Sequence, residues 1–432
     1  MKESGIDWIG QIPEEWRVRP IKHIVETPVT DGPHETPVLF DTGIPFLSAE
    51  AVKDGVLDFN YKRGYISLKD HERFKKKISP KKDDIFIVKS GATTGNVGIV
   101  NTEEIFDIWS PLALIRCNKT LAIQKYIYFY LLSTLFKSQV EFNWSFGTQQ
   151  NIGMGVIERI KVILPPVSEQ QKIVEVLDKK TAQLDKVKSL LEEQIQKLKD
   201  YRASLIYETV TKGLDKTALM KDSGIDWIGQ VPEGWEVKSL KYLIKFKNGY
   251  AFDSKHLTME QTGVKVIRIG DFKSSGIDFN ASLNVFTSFN SKLDFYRIRK
   301  SQILIAMSGA TVGKISFVNQ EPDVYSVINQ RVGIIESEIN KWIYYCLSTD
   351  SFMSYIQLNS NGSAQPNISS GEISDFKVAI PDDVVIQKCV KYLDNQLESI
   401  NKLIQIKNQQ IENINKQRQT LIYDYVTGKR RV

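Results

Sequence analysis

Cysteine is scarce in this sequence. Its three residues, Cys117, Cys346 and Cys389, lie far apart and form no Cys-x-x-Cys pair. This usage argues for a reducing cytoplasm and against a zinc site. The four histidines, His23, His34, His71 and His256, do not cluster. No apolar run approaches 18 residues, so no transmembrane helix is expected. Met1-Lys2-Glu3-Ser4 leads into a polar segment and not into the apolar core of a secretion signal, which again points to the cytoplasm. Catalytic signatures are missing as well. There is no Gly-x-Ser-x-Gly, Gly-x-Gly-x-x-Gly or His-x-x-x-His, and no Asn-Pro-Pro-aromatic tetrad for adenine methylation. Asp83-Asp84 and Pro381-Asp382-Asp383 lack the spaced Glu-x-Lys of a nuclease. Gly309-Ala310-Thr311-Val312-Gly313-Lys314 has one residue too few between its glycines for a phosphate loop, and Ile315 stands where Ser or Thr would hold magnesium. These absences favour a binding or scaffolding protein over an enzyme, with no metal or cofactor of its own.

What the chain has is a copy of itself. Lys2-Glu3-Ser4-Gly5-Ile6-Asp7-Trp8-Ile9-Gly10-Gln11 returns as Lys221-Asp222-Ser223-Gly224-Ile225-Asp226-Trp227-Ile228-Gly229-Gln230. Ser90-Gly91-Ala92-Thr93-Thr94-Gly95 returns as Ser308-Gly309-Ala310-Thr311-Val312-Gly313, and Leu205-Ile206-Tyr207 as Leu421-Ile422-Tyr423. The offset stays between 215 and 220, so the whole length is a tandem duplication. Two similar halves suggest two similar sites about a pseudo-two-fold axis, suited to reading separated stretches of a long ligand. With 432 residues and 42% hydrophobic content, each half can bury its own core.

Each half divides again. Residues 1–166 and 216–381 are rich in β-branched residues, aromatics and glycine. Ile85-Phe86-Ile87-Val88, Leu112-Ala113-Leu114-Ile115, Val264 to Ile269 and Ile303-Leu304-Ile305-Ala306 read as strands. Ile123 to Phe136 and Lys341 to Leu358 read as helices. Residues 167–215 and 382–432 differ: Pro165-Pro166 closes the first globular region, and Ser168-Glu169-Gln170-Gln171 can cap the next helix. Leu177, Leu184, Leu191, Leu198 and Leu205 recur every seven residues, with Val187, Ile195 and Tyr201 at the alternate positions. Leu393, Ile400, Ile414 and Leu421 keep the register in the second copy, with Leu397, Ile404 and Ile411 between them and Lys407 as one interruption. This pattern predicts two coiled-coil helices, each roughly 60 Å long. The fold expected is α+β, with two mixed domains separated by two long helices that form an antiparallel intramolecular pair. A dimer through the same seam is the alternative. The second helix ends in Val426-Thr427-Gly428-Lys429 where the first runs through Val210-Thr211-Lys212-Gly213 into the next repeat, so the sequence reads as a circle opened at one point.

The formal net charge of +6 is small, so a nucleic-acid surface must be a patch. One basic candidate is Arg73, Lys75, Lys76, Lys77, Lys81 and Lys82, with Lys62 and Arg63 upstream; a solvated lysine-rich loop explains it equally well. The glycine corners and the polar loops 147–152 and 362–368 offer amides, hydroxyls and carboxamides to phosphates and base edges. The candidate DNA-contacting residues are Lys89, Thr93, Thr94, Asn96, Gln149 and Gln150 in the first half. In the second they are Arg268, Lys273, Thr311, Lys314, Asn361, Ser363 and Gln365. Trp8, Trp16, Trp227 and Trp235 read as packing anchors between globular domains and helix ends.

Taken together, in order and twice over, these motifs resemble the specificity subunit of type I restriction–modification systems. The resemblance rests on the Ser-Gly-Ile-Asp-Trp-Ile-Gly-Gln-x-Pro-Glu-x-Trp opening and the Ser-Gly-Ala-Thr-x-Gly corner. It also rests on Val266-Ile267-Arg268-Ile269-Gly270-Asp271 with its degenerate partner Phe46-Leu47-Ser48-Ala49-Glu50-Ala51, and on Pro165 to Ile173 leading into a heptad helix. It implies two target-recognition domains, each reading half of a split site in double-stranded DNA. It also implies two modification (methyltransferase) subunits on the helices, and restriction (motor–nuclease) subunits. S-adenosylmethionine, ATP and Mg would belong to those partners. The second Pro-Pro-x-x-Glu-Gln motif departs, as Pro381-Asp382-Asp383-Val384-Val385-Ile386. An orphan DNA-binding or regulatory relative without restriction partners is the alternative reading.

Overall fold

A computed structural model describes the chain except for residues 7, 8, 144, 147–149, 261, 262, 274, 275, 278, 280–284 and 361–365, and except for the side chains of 145, 146 and 273. The chain divides into two compact units, Met1–Glu192 with Asn408–Val432, and Glu193–Lys407. Each unit therefore holds one globular domain together with a stretch of both long helices.

The apolar runs became strands where expected, except that the run from Val264 ends as a strand at Ile267, and Ile269–Asp271 turns into a short 3-10 helix whose Asp271 carboxylate accepts from the Arg268 amide. In the first domain one sheet has the order Thr30–Asp31, Leu112–Ile115, Ile85–Val88, Val97–Ile99, Val56–Leu57, Val52–Lys53. Beside it lies a three-stranded sheet of Asp107–Ile108, Ile44–Leu47 and Gly64–Ile66. The second domain repeats this plan. Its sheets are Lys245–Asn248, Val332–Glu336, Ile303–Ala306, Ile315–Phe317, and Val285–Thr287, Val264–Ile267, Ser326–Ile328. Ile85–Val88 and Ile303–Ala306 are buried at every residue, which is why they read as unbroken apolar runs. The predicted helix 123–136 is two helices, Gln124–Leu132 and Thr134–Phe142, broken at the extended Ser133. The predicted helix 341–358 likewise splits into Asn340–Leu347 and Asp350–Asn359, because the Thr349 hydroxyl caps a fresh start by accepting from the Phe352 amide at 3.3 Å.

The long helices run Val167–Lys212 and Asp383–Thr427. Within the first unit, Arg418 meets Asp185 at 3.3 Å, and Arg431, beyond the end of the second helix, meets Glu169 at the start of the first at 3.0 Å. Within the second unit Lys407 donates to Gln194 at 2.5 Å. The pair is intramolecular and antiparallel. Lys407, the one polar break in the seam, thus finds an amide partner across the pair. Leu177, Leu205, Leu393 and Ile400 are buried, and Leu184, Leu191, Leu198, Ile404, Ile411, Ile414 and Leu421 are half-buried. Of the alternate positions, Ile195 is buried, but Val187 and Tyr201 face solvent and do not belong to the seam.

The start of each helix explains the decayed motif. Ser168 does not cap; the helix already begins at Val167. Gln170 is instead fully buried, accepting from the Ile123 amide at 2.8 Å and donating to Leu121 O at 3.2 Å and Pro165 O at 2.9 Å. Glu169 accepts from the Trp16 indole at 2.9 Å. In the second copy Ile386 stands in place of Gln170 and is buried in the core, while Ser337 Oγ serves the Ile339 amide at 3.3 Å. The polar fastening was exchanged for an apolar one. Gln170→Ala is therefore expected to cost about 1–3 kcal/mol, because it strands three backbone groups, whereas Ile386→Gln places an unmatched carboxamide in the core. Urea unfolding of both variants checks this; a Gln170→Ala protein as stable as the parent would refute it.

The four tryptophans were expected to anchor domains to helix ends. Trp16 is fully buried, Trp235 lies edge-on to Trp342 at 5.8 Å, and Trp227 stacks on Phe376 at 5.0 Å. Trp8 lies outside the described residues.

Candidate nucleic-acid interface

In each domain one end of the sheets gathers the loops of interest. In the first, strand Ile85–Val88 runs into Lys89, Ser90 and the corner Gly91–Gly95. Gly91 and Gly95 have φ of 103° and 88°, the left-handed region that glycine tolerates. Thr94 turns inward, its hydroxyl donating to Gly91 O at 2.7 Å and to Gln150 O at 3.1 Å. Ser90 bridges to Asn151, which brings the strand Gln150–Asn151 to the corner. Beside it the turn Trp109-Ser110-Pro111 links the two sheets. Its backbone is fixed by Trp109 N to Leu47 O (2.9 Å), Ser110 N to Pro33 O (3.2 Å) and Lys89 N to Pro111 O (2.7 Å).

The second domain has the same wiring with other side chains. The corner Gly309–Gly313 is tied to residue 366 by Gly309 N to Pro366 O (2.8 Å), and Ser308 bridges to Asn367. The turn Asn329-Gln330-Arg331 is held by Asn329 N to Ile267 O (2.9 Å), Gln330 N to Tyr250 O (2.8 Å) and Met307 N to Arg331 O (2.9 Å). The Asp271 carboxylate accepts from the Arg268 amide at 2.7 Å, and Thr311 Oγ1 donates to Ile269 O at 3.3 Å. Arg268, Thr311 and the 329–331 turn are thereby neighbours.

The nominated residues divide accordingly. Thr93, Asn96 and Gln150 are exposed at this end of the first domain, and Lys314 is exposed, with Arg268 and Thr311 half-buried, at this end of the second. Thr94 is committed to its own turn. Lys89 is buried and bonded to Asp31 at 2.5 Å, so its ammonium braces the domain and does not face out. Lys77 and His34 reach the same carboxylate at 2.7 and 3.2 Å. Burial alone would raise the Asp31 pKa; the two ammonium groups outweigh it and hold it below the usual value. Gln149, Asn361, Ser363 and Gln365 lie outside the described residues, as does the side chain of Lys273. The basic stretch is largely spoken for: Arg73 pairs with Asp70 and Glu35, Lys75 with Glu72, Lys77 with Asp31, and Lys82 with Glu103.

His71 and Asp107 form a buried pair at 2.6 Å, and burial raises the Asp107 pKa despite the histidine. Both groups are enclosed, and the pair pins the helix Leu68–Phe74 onto the strand Asp107–Ile108.

The family model for the type I restriction modification DNA specificity domain matches this chain twice, over residues 13–199 and 232–413. The chain belongs to that family. It is 25% identical over 435 residues to the type I restriction enzyme MjaVIII specificity subunit of Methanocaldococcus jannaschii, covering 98% of this chain and 94% of the relative. The MjaIX specificity subunit of the same organism is 24% identical, covering 98% and 95%. Among solved structures, a chain from work on complex assembly and conformational transition of the type I R-M system superposes with a TM-score of 0.69 at 14% identity, covering 97% of this chain and all of that one, and so shares its fold.

As a type I specificity subunit, the chain has two mixed α/β domains joined by the long helix Val167–Lys212. No helix among its described residues is long and apolar enough to cross a membrane. The sheet-linking turns 109–111 and 329–331 escaped sequence reading. Their only signal is position, immediately before the apolar runs Leu112–Ile115 and Val332–Glu336; the side chains share nothing.

Proposed function

We propose that this chain is the DNA-reading subunit of a type I restriction–modification complex. Each domain reads one half of a bipartite duplex target, and the antiparallel helices fix the gap between the halves. One observation carries this reading: two domains of identical wiring present different side chains at the same sheet end, as two different half-sites require. Base choice rests on exposed groups such as Thr93, Asn96, Gln150 and Lys314, with the half-buried Thr311 and Arg268 beside Lys314. The chain supplies recognition and a scaffold for two modification subunits and for restriction subunits in the cytoplasm. S-adenosylmethionine, ATP and Mg are theirs.

The test is to co-express the chain with its modification subunit and map methylated adenines by single-molecule sequencing. Two short half-sites around a fixed unspecified gap are expected. A soluble, co-purifying complex that modifies nothing would favour the orphan regulatory reading. Insertion of whole helical turns between Lys186 and Gln196, matched in the facing helix, is expected to change the gap and leave both half-sites intact. An unaltered gap would remove the ruler from the proposal.

A further inference from the structure

Resting on that function, we infer that the turn Asn329-Gln330-Arg331 is a base-reading element of the second domain, in which Gln330 and Arg331 choose bases. The backbone of this turn is a duplicated fixture. Each of its three hydrogen bonds has a counterpart at 109–111. Each turn is also wedged against a glycine with no room for a side chain: a Cβ on Gly249 would lie 2.0 Å from Asn329 O, and one on Gly32 would lie 2.2 Å from Ile108 O. The conformation is thus held by the scaffold and not by the turn's own side chains.

Those side chains diverged completely. Trp109-Ser110-Pro111 is half-buried, with the Arg63 guanidinium 4.3 Å above the Trp109 ring. Gln330 and Arg331 are exposed, and among the described residues neither side chain has a hydrogen-bond or ion-pair partner. Three other cations of this domain are engaged: Arg297 with Glu321, Arg299 with Asp294, Lys247 with Glu336. A free carboxamide beside a free guanidinium on a rigid turn is the chemistry that reads base edges, since Gln bonds adenine and Arg bonds guanine bidentately in the major groove. Pre-set backbone lowers the ordering cost of such contacts. The position next to Arg268 and Thr311 places both groups on the reading end.

The experiment compares Gln330→Ala, Arg331→Ala, Arg331→Lys and the control Lys300→Ala, each co-expressed with the modification subunit and mapped for methylated adenines. Lys300 is exposed at the opposite end of the same sheet. Gln330→Ala and Arg331→Ala are expected to relax one or two positions of a single half-site, with discrimination falling roughly 10- to 100-fold, and to leave the other half-site and the gap unchanged. Arg331→Lys keeps the charge but loses the planar fork, so it too is expected to relax that half-site; a role in phosphate binding alone would leave its target intact. Lys300→Ala is expected to retain the parent target. If the parent yields a split motif and all three turn variants keep it unchanged, this inference fails while the proposed function stands. If the parent yields no split motif, both fall together.

Discussion

Asp31→Ala is expected to destabilise the first domain by about 3–5 kcal/mol. The reason is Lys89. Its ammonium is nearly enclosed, its bond to Asp31 is 2.5 Å long, and removal of the carboxylate leaves a charge without water or partner. Lys77, half in solvent, can turn outward; Lys89 cannot. The second domain shows the exchange that works, with Asn248 and Met307 at the corresponding positions. The double variant Asp31→Asn, Lys89→Met is therefore expected to recover most of the loss, because the cost lies in stranding one charge and not in lacking the pair. Acid should act as the single variant does. The folded-state pKa of Asp31 is depressed below the ordinary 3.8, so its contribution is complete above that value and disappears as pH falls through the lower folded value. Urea unfolding at neutral and acid pH checks both statements. A double variant no more stable than Asp31→Ala would refute the argument.

Gly249→Ala is expected to cost about 3 kcal/mol or more, at the upper end of overpacking penalties. The added methyl would meet Asn329 O at 2.0 Å, the Asn329 carbonyl carbon at 2.4 Å and Val332 O at 2.8 Å, all backbone atoms at the sheet-linking turn. No flexible side chain can give way, so the strand Lys245–Asn248 must part from Val332–Glu336 or the turn must shift. Hydrogen exchange resolved by segment is expected to show lost protection in residues 245–248 and 332–336. On the proposed function, recognition of one half-site weakens with it. Normal protection and an unchanged melting profile would mean that the turn is softer than its contacts imply.

Periodicity carried much of the architecture. Four-residue apolar runs became fully buried strands because strands covered on both faces need no polar alternation. Seven-residue spacing gave the helices, since a seam against one partner leaves no other pattern. What failed was local. Ser133 and Thr349 ended helices that apolar content alone would have continued, because short hydroxyl side chains compete for backbone groups. Val187 and Tyr201 fit the spacing yet face solvent.

The candidate interface was less legible for a physical reason. Charge and polarity mark a residue as able to meet DNA but do not say whether another residue already claims it. Lys89 and Thr94 looked as eligible as Thr93 and Asn96, and only the fold showed the first two engaged with Asp31, Gly91 and Gln150. The reverse held for Gln330 and Arg331, which belong to no motif and stand free because of where two sheets join.

By itself the sequence determined the duplication, the heptad helices, the strand cores and the family, since these rest on repeats and periods that any packed structure must respect. Tertiary structure alone decided that the expected antiparallel pair forms within one chain and not through a dimer seam, which polar groups are spent on the fold, and which turns share one end of the sheets. Those outcomes depend on contacts between residues far apart in the chain, such as Arg431 with Glu169, and no local pattern encodes them.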